Sequence, residues 1–141
     1  MTKVPKYWNK AKRHISKKDK IMGKLIKIYQ SPNETILTSR RDIFFSLCKS
    51  IIGQQISVAA ANSVFLKFKK KCNNKINAKK VSKLSFAQLK SCGLSRQKVL
   101  GIKSLAERVI DKSFNPKLIE KMTDEEAIEY LSNLRQIGRW S

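Results

Sequence analysis

The last eleven residues, Leu131-Ser132-Asn133-Leu134-Arg135-Gln136-Ile137-Gly138-Arg139-Trp140-Ser141, carry an apolar helical pattern into a turn. Leu131 and Leu134 continue a face begun by Ala127 and Ile128, Gly138 permits a tight turn, and Arg139-Trp140-Ser141 makes a fresh polar and aromatic start. This is half of a motif, reached from a helix with a clear opening signal. Thr123 followed by Glu126 forms a capping box, and Asp124, Glu125 and Glu126 lie where a helix dipole favours negative charge. Five of the ten acids fall within 120–129, and the helix start accounts for them without a carboxylate active site.

The same punctuation recurs upstream. Ser95 caps a helix through Val99, Ile102, Leu105, Ala106, Val109 and Ile110, with Gly101 inside it at a cost of roughly 1 kcal/mol. Asn115-Pro116 opens a short turn with Leu118, Ile119 and Met122, while Ser85 and Gln88 form a capping box for a short helix that Gly93 stops at a C′ position. Ser57 caps a helix carrying Ala59, Ala60, Ala61, Val64, Phe65 and Phe68, ended by the lysines 67, 69, 70 and 71. Residues 72–78 read as loop, and a short helix is expected near 78–83. Ser39 with Asp42 resembles a capping box before the most apolar helix, through Phe44, Phe45, Leu47, Cys48, Ile51 and Ile52. A first helix is expected over about 7–30, with Ile21, Leu25, Ile28 and Tyr29 on one face and Ser31-Pro32 at its end. The fold class is all-α, a helical bundle, with 1–38 expected as a basic helix and linker and 39–141 as the main domain.

Composition bounds the partners. The chain has 141 residues and 31 Lys plus Arg against 10 Asp plus Glu, a formal charge of +21. Such a field draws polyanions, nucleic acid first among them, although 24 Lys against 7 Arg beside 15 Ile and 8 Asn is also the usage an A/T-rich coding sequence favours. Apolar runs such as Ile43 to Cys48 are far too short to span a bilayer, and the N-terminus has no apolar stretch after its charges. A cytoplasmic protein without membrane contact is the expectation. Cys48, Cys72 and Cys92 are odd in number, with no C-x-x-C spacing, so no metal or cofactor site is expected and each reads as a small apolar residue.

Three stretches in order resemble the helix-hairpin-helix DNA glycosylases, with most likeness to the DNA-3-methyladenine glycosylase II branch. Ile51-Ile52-Gly53-Gln54-Gln55-Ile56-Ser57-Val58-Ala59-Ala60-Ala61 is similar to the family's I-x-G-Q-Q-x-S-x-x-A-A block, and Leu89-Lys90-Ser91-Cys92-Gly93-Leu94-Ser95-Arg96-Gln97-Lys98 to its L-x-x-x-G-L-S-x-x-K block. The segment 131–141 resembles the hairpin itself, L-x-x-x-x-G-I-G-R/P-W-T/S-A. The resemblance implies base-excision repair: double-stranded DNA with alkylated bases of the 3-methyladenine type as partner, base flipping, and hydrolysis of the N-glycosidic bond. It further implies that Arg135, Gln136, Ile137, Gly138 and Arg139 hold a DNA phosphate, that Gln54 or Gln55 fills the space the base leaves, and that Trp140 lines the base pocket, where its ring suits a cationic alkylated purine. Read from residues alone, Gly138 is equally a C-cap, the glutamines an exposed polar turn, and Trp140 a core aromatic. A monomer is expected.

Two departures follow from the same comparison. Gln136 stands where the hairpin's first glycine would be, and a non-glycine residue with positive φ is strained. The family's essential aspartate lies downstream of the hairpin, and neither Asp111 nor Asp124 matches its position. The chain is therefore expected to be an N-terminal part, its helix-hairpin-helix cut off after the first half, without base-releasing activity. The rival reading is a basic nucleic-acid-binding module without catalysis.

Overall fold

A computed structural model describes residues 5–30 and 42–141. The described residues form eight α-helices and one 3-10 helix, with no strand among them. The chain divides into two compact units, Met1–Arg41 and Asp42–Ser141.

In the first unit, α1 (Trp8–Lys18) and α2 (Lys20–Ile28) pack as a pair, so the single helix expected over 7–30 is broken. Asp19 causes the break: its backbone is extended, with φ −133° and ψ 112°, and its carboxylate accepts from the N–H groups of Ile21 and Met22 at 2.8 and 3.0 Å. An aspartate that satisfies the first amides of a new helix competes with continuing the old one. Gly23 lets the pair close, because a Cβ there would stand 3.2 Å from the Ser16 carbonyl oxygen. The expected end at Ser31-Pro32 lies outside the described residues.

The second unit holds the core. α3 (Ile43–Gly53) buries Phe44, Leu47, Cys48, Ile51 and Ile52. Its N-cap is Asp42, whose carboxylate accepts from the Phe45 amide at 2.9 Å, rather than Ser39, which lies outside the described residues. A carboxylate three residues ahead of an amide caps it without a partner residue. α4 (Val58–Lys71) starts at Ser57 as expected and buries Phe68. The short helices α5 (Ala78–Ser82) and α6 (Phe86–Lys90) follow, the second with its complete Ser85–Gln88 capping box. α6 ends one residue sooner than expected, with Ser91 as C-cap, and Gly93 two residues beyond takes φ +95°. α7 (Arg96–Ile110), capped by Ser95, buries Val99, Ile102, Leu105 and Ala106 along its core face.

Pro116–Lys121 forms a 3-10 helix and α8 (Asp124–Ser132) completes the set. Phe114 is buried and stacks on Tyr130 at 5.1 Å between ring centroids, while the Tyr130 hydroxyl accepts from the Asn115 amide at 2.8 Å. α8 stops before Leu134, which the sequence pattern had placed in it, yet Leu134 is buried because the turn after the helix folds back on the core. The three cysteines are free thiols in that core, and burial raises each pKa, that of Cys72 to about 11. They are packing residues, as the sequence indicated.

The Thr123 box makes a first test. Glu126 accepts from the Thr123 N–H and hydroxyl at 2.8 and 2.9 Å, and these bonds hold its pKa below the ordinary carboxylate value. A carboxylate depressed in the folded state adds stability above its unfolded pKa and loses it as pH falls through the lower folded value. Thr123→Ala is expected to cost about 1 kcal/mol at neutral pH, and Glu126→Gln to flatten the acid limb of the melting-temperature profile. A profile in Glu126→Gln identical to wild type from pH 7 to 3 would count against the bond.

Candidate nucleic-acid interface

The hairpin follows directly from burial. Leu134 and Ile137 are buried, and the Ile137 amide donates to the Leu134 carbonyl at 3.1 Å, which closes a turn around Arg135 and Gln136. Gln136 takes φ 67°, as its place in the turn demanded, so the strain expected from a residue with a Cβ is present. Two neighbours hold it there. The Gln54 side-chain amide donates to the Gln136 carbonyl at 2.6 Å, and the Gln136 side chain lies over α7 at Gly101. A Cβ at Gly101 would come within 2.9 Å of Gln136 Cγ and 3.1 Å of its Cβ, and within 3.4 Å of the Arg135 carbonyl oxygen. The helix-interior glycine is thus the seat of the hairpin. Gly101→Ala is expected to shift the turn and weaken duplex binding several-fold while helix content stays the same, as circular dichroism beside a binding titration would read.

After Ile137 the chain begins a new turn. The Gly138 amide donates to the Ser141 hydroxyl at 2.9 Å, and the Ser141 amide to the Gly138 carbonyl at 3.1 Å, the pattern of an N-cap residue and its N3 partner. Gly138 keeps a negative φ with open space at its Cβ position, so no left-handed backbone requires a glycine there. The N–H groups of Gln136, Arg139 and Trp140 have no acceptor among the described residues. Such unpaired amides at a turn suit an anion. Arg135 reaches the Gln97 side chain at 3.0 Å, and Arg139 forms a two-pronged pair with Glu125 at 2.8 and 3.1 Å, both on the surface.

The Gln54-Gln55 turn is built from the other side. Lys98 of α7 donates to the Ile52 and Gln54 carbonyls at 2.9 and 2.7 Å, capping the end of α3, and partial burial moves its ammonium below the ordinary lysine range. Gln55 then turns left-handed with φ 57° and is exposed. The two glutamines therefore separate: Gln54 ties the turn to the hairpin, and Gln55 is exposed. Ile56 and Val58, 40% and 79% exposed, flank it as an apolar edge that sequence patterning left unremarked. Trp140 is 96% exposed, which removes the core reading. Ile137, in contrast, is an anchor whose side chain and amide both face inward. Between α3, α8 and the hairpin lies a cleft of about 270 Å³ lined by Ser46, Leu47, Ser50, Ile128, Leu131 and Ile137 among others, without Trp140. No cluster of metal ligands occurs among the described residues, and no helix there is long and apolar enough to cross a membrane.

The unit is all-α and presents a hairpin with unpaired amides beside an exposed glutamine turn, an arrangement able to receive an anion. Residues 48–138 match the family described as the HhH-GPD superfamily base excision DNA repair protein, and the chain belongs to that superfamily. It is 29% identical to DNA-3-methyladenine glycosylase 1 of Schizosaccharomyces pombe over 94% of this chain and 59% of that protein. It is 30% identical to the DNA-3-methyladenine glycosylase of Saccharomyces cerevisiae over 95% of this chain and 50% of that protein. The fold is similar to that of the S. pombe 3-methyladenine DNA glycosylase Mag1 in complex with abasic DNA, with a TM-score of 0.81 at 28% identity over 93% of this chain and 65% of that one. The chain thus spans about half to two thirds of the length of the relatives it matches.

Proposed function

We propose that this chain supplies the DNA-docking part of a base-excision repair glycosylase acting on alkylated bases of the 3-methyladenine type. The bond from Gln54 to the Gln136 carbonyl carries the reading, because it fixes the exposed Gln55 at a set place beside the hairpin amides. In this reading a phosphate of one strand lies on the amides of Gln136, Arg139 and Trp140, and Gly138 lets the backbone approach closely. The Gly138 amide joins them when the Ser141 hydroxyl turns away. Gln55 enters the stack where a base has left and offsets part of the few kcal/mol lost on unstacking. Trp140, exposed and next to the hairpin, offers a ring for a cationic base. That two relatives are named for 3-methyladenine, and that Mag1 was seen with abasic DNA, supports this choice of substrate class.

Breaking an N-glycosidic bond leaves positive charge on the sugar, which a carboxylate must stabilise. Of the carboxylates described, Glu125 is taken up by Arg139, and Asp111 and Glu126 bind backbone amides of Ser113 and Thr123. We expect the 141-residue polypeptide to bind DNA without releasing bases. Two measurements test the function together. A duplex with one abasic site should bind several-fold more tightly than an intact duplex, with the preference lost in Gln55→Ala. Methylated DNA incubated with the chain should show base release at background level. Equal affinity for both duplexes in the wild type would overturn the role of Gln55, and enzymatic base release would overturn the claim of inactivity.

A further inference from the structure

The lysines at the end of α4 form a second charged surface, away from the hairpin. Lys67, Lys70 and Lys71 stand at i, i+3 and i+4 and so share one helix face. That face continues through Val64, whose methyl would touch a Cβ at Gly93 at 3.3 Å, and the α6–α7 loop therefore runs beside it. Between them is a concavity of about 510 Å³ lined by Lys67, Lys70, Lys71, Asn73, Ser91 and Cys92.

Two ordinary explanations for such lysines fail here. The first is that they cap the α4 C-terminus, but its last carbonyls already have donors: the Cys72 amide on Phe68 at 3.1 Å, Asn73 on Lys70 at 3.0 Å and Asn74 on Lys69 at 2.9 Å. Asn73 and Asn74 adopt φ 51° and 58° to make these bonds, so the carbonyls of Phe68, Lys69 and Lys70 are met by backbone amides. The second is pairing with acids, but residues 43–106 hold 13 Lys plus Arg and no Asp or Glu. Other basic side chains of that stretch do have internal tasks. Lys80 donates to Cys72, Lys98 to Ile52 and Gln54, Lys103 to Leu84, and Lys49 lies over the Phe65 ring. Lys67, Lys70 and Lys71 have no carbonyl, carboxylate or ring partner among the described residues. Three ammonium groups around one hollow, with the Asn73 side chain in its lining, fit the closely spaced oxygens of a phosphodiester backbone.

We propose that this concavity is a second phosphate-binding surface that holds the sugar-phosphate backbone of nucleic acid. α4 has 14 residues and is about 21 Å long at ~1.5 Å per residue, so the surface lies roughly that far from the Gln54-Gln55 turn. It adds non-specific contacts of its own and does not depend on the glycosylase reading.

Salt dependence of binding to an undamaged 20-base-pair duplex tests it, followed by fluorescence anisotropy between 50 and 300 mM NaCl. Replacing all three residues, Lys67→Gln, Lys70→Gln and Lys71→Gln, should make the log K against log salt slope shallower by about 2 to 3, at roughly 0.9 per phosphate lost. The control Lys17→Gln, Lys18→Gln and Lys24→Gln, with the same charge loss, should change it by less than about 1. Replacing the three concavity lysines by Arg should keep the wild-type slope, which separates charge from packing. An unchanged slope in the glutamine variant, or an equal change in the control, would overturn the proposal. Loss of binding to phosphatidylserine vesicles with full retention of duplex affinity would do so as well, by assigning the surface to lipid. The slope is read on an intact duplex and the proposed function on the preference for an abasic over an intact duplex at one salt concentration, so failure here and failure of the proposed function are distinguishable.

Discussion

Phe68→Ala is expected to lower the melting temperature of the Asp42–Ser141 unit by roughly 10 °C or more. Phe68 is wholly buried at the middle of a core that also holds Ile51, Ile52, Leu89, Val99 and Ile102. Removing a buried phenyl ring costs about 3–5 kcal/mol, from lost transfer energy and the cavity left behind. A domain of this size has only about 5–15 kcal/mol in total, so the change takes a large share. Its neighbours cannot close the gap easily, because Phe68 belongs to the last turns of α4, next to the buried Cys72 and the backbone-closed helix end. A thermal melt should show a fall in midpoint of roughly 10 °C or more, and a fall under 3 °C would mean that this core is not the one described.

The second large effect belongs to Lys98→Met. Methionine keeps most of the side-chain length but leaves the Ile52 and Gln54 carbonyls without their donor. Hydrogen bonds from a charged group contribute about 1.5–3 kcal/mol each, and partial access of water to this site lowers the combined loss to about 2 kcal/mol. The consequence for binding exceeds that for stability. Gln55 holds a left-handed backbone only because Gln54 is fixed at both its carbonyl and its side-chain amide, and freeing the carbonyl lets the strained residue relax. Duplex affinity should fall at least tenfold, beyond the effect of removing one positive charge from an exposed site such as Lys90. Equal losses in Lys98→Met and Lys90→Gln would show that Lys98 acts by charge alone.

What the sequence disclosed and what it hid divide by distance along the chain. Caps at Ser57, Ser85, Ser95, Asn115 and Thr123 act over two or three residues, and the structure has each where the pattern placed it. Asp19 and Asp42 act over the same short range, each accepting from amides two or three residues on, but a single capping residue stands out less in a sequence than a paired box. The hairpin was legible from Leu134, Ile137 and Gly138, and so was the strain at Gln136. Its supports were not. Gln54 and Gln136 are 82 residues apart, and Lys98 meets α3 across 44 and 46, separations at which one sequence gives no pairing signal. Gly101 did leave a trace, a glycine inside an otherwise good helix, which a reading for close backbone approach would have used. The surplus of lysine concealed the rest: of many similar residues, only the structure separates those with carbonyl partners from those lining a hollow.

The central claim is that the hairpin and the Gln55 turn together grip duplex DNA. Amide chemical-shift mapping of the 141-residue chain with a short undamaged duplex tests it most directly. The largest shifts should fall on Gln136, Gly138, Arg139 and Trp140, with Gln55 and Ile56 moving over the same titration. Shifts that leave residues 135–140 and 54–56 unmoved while the chain binds would contradict it.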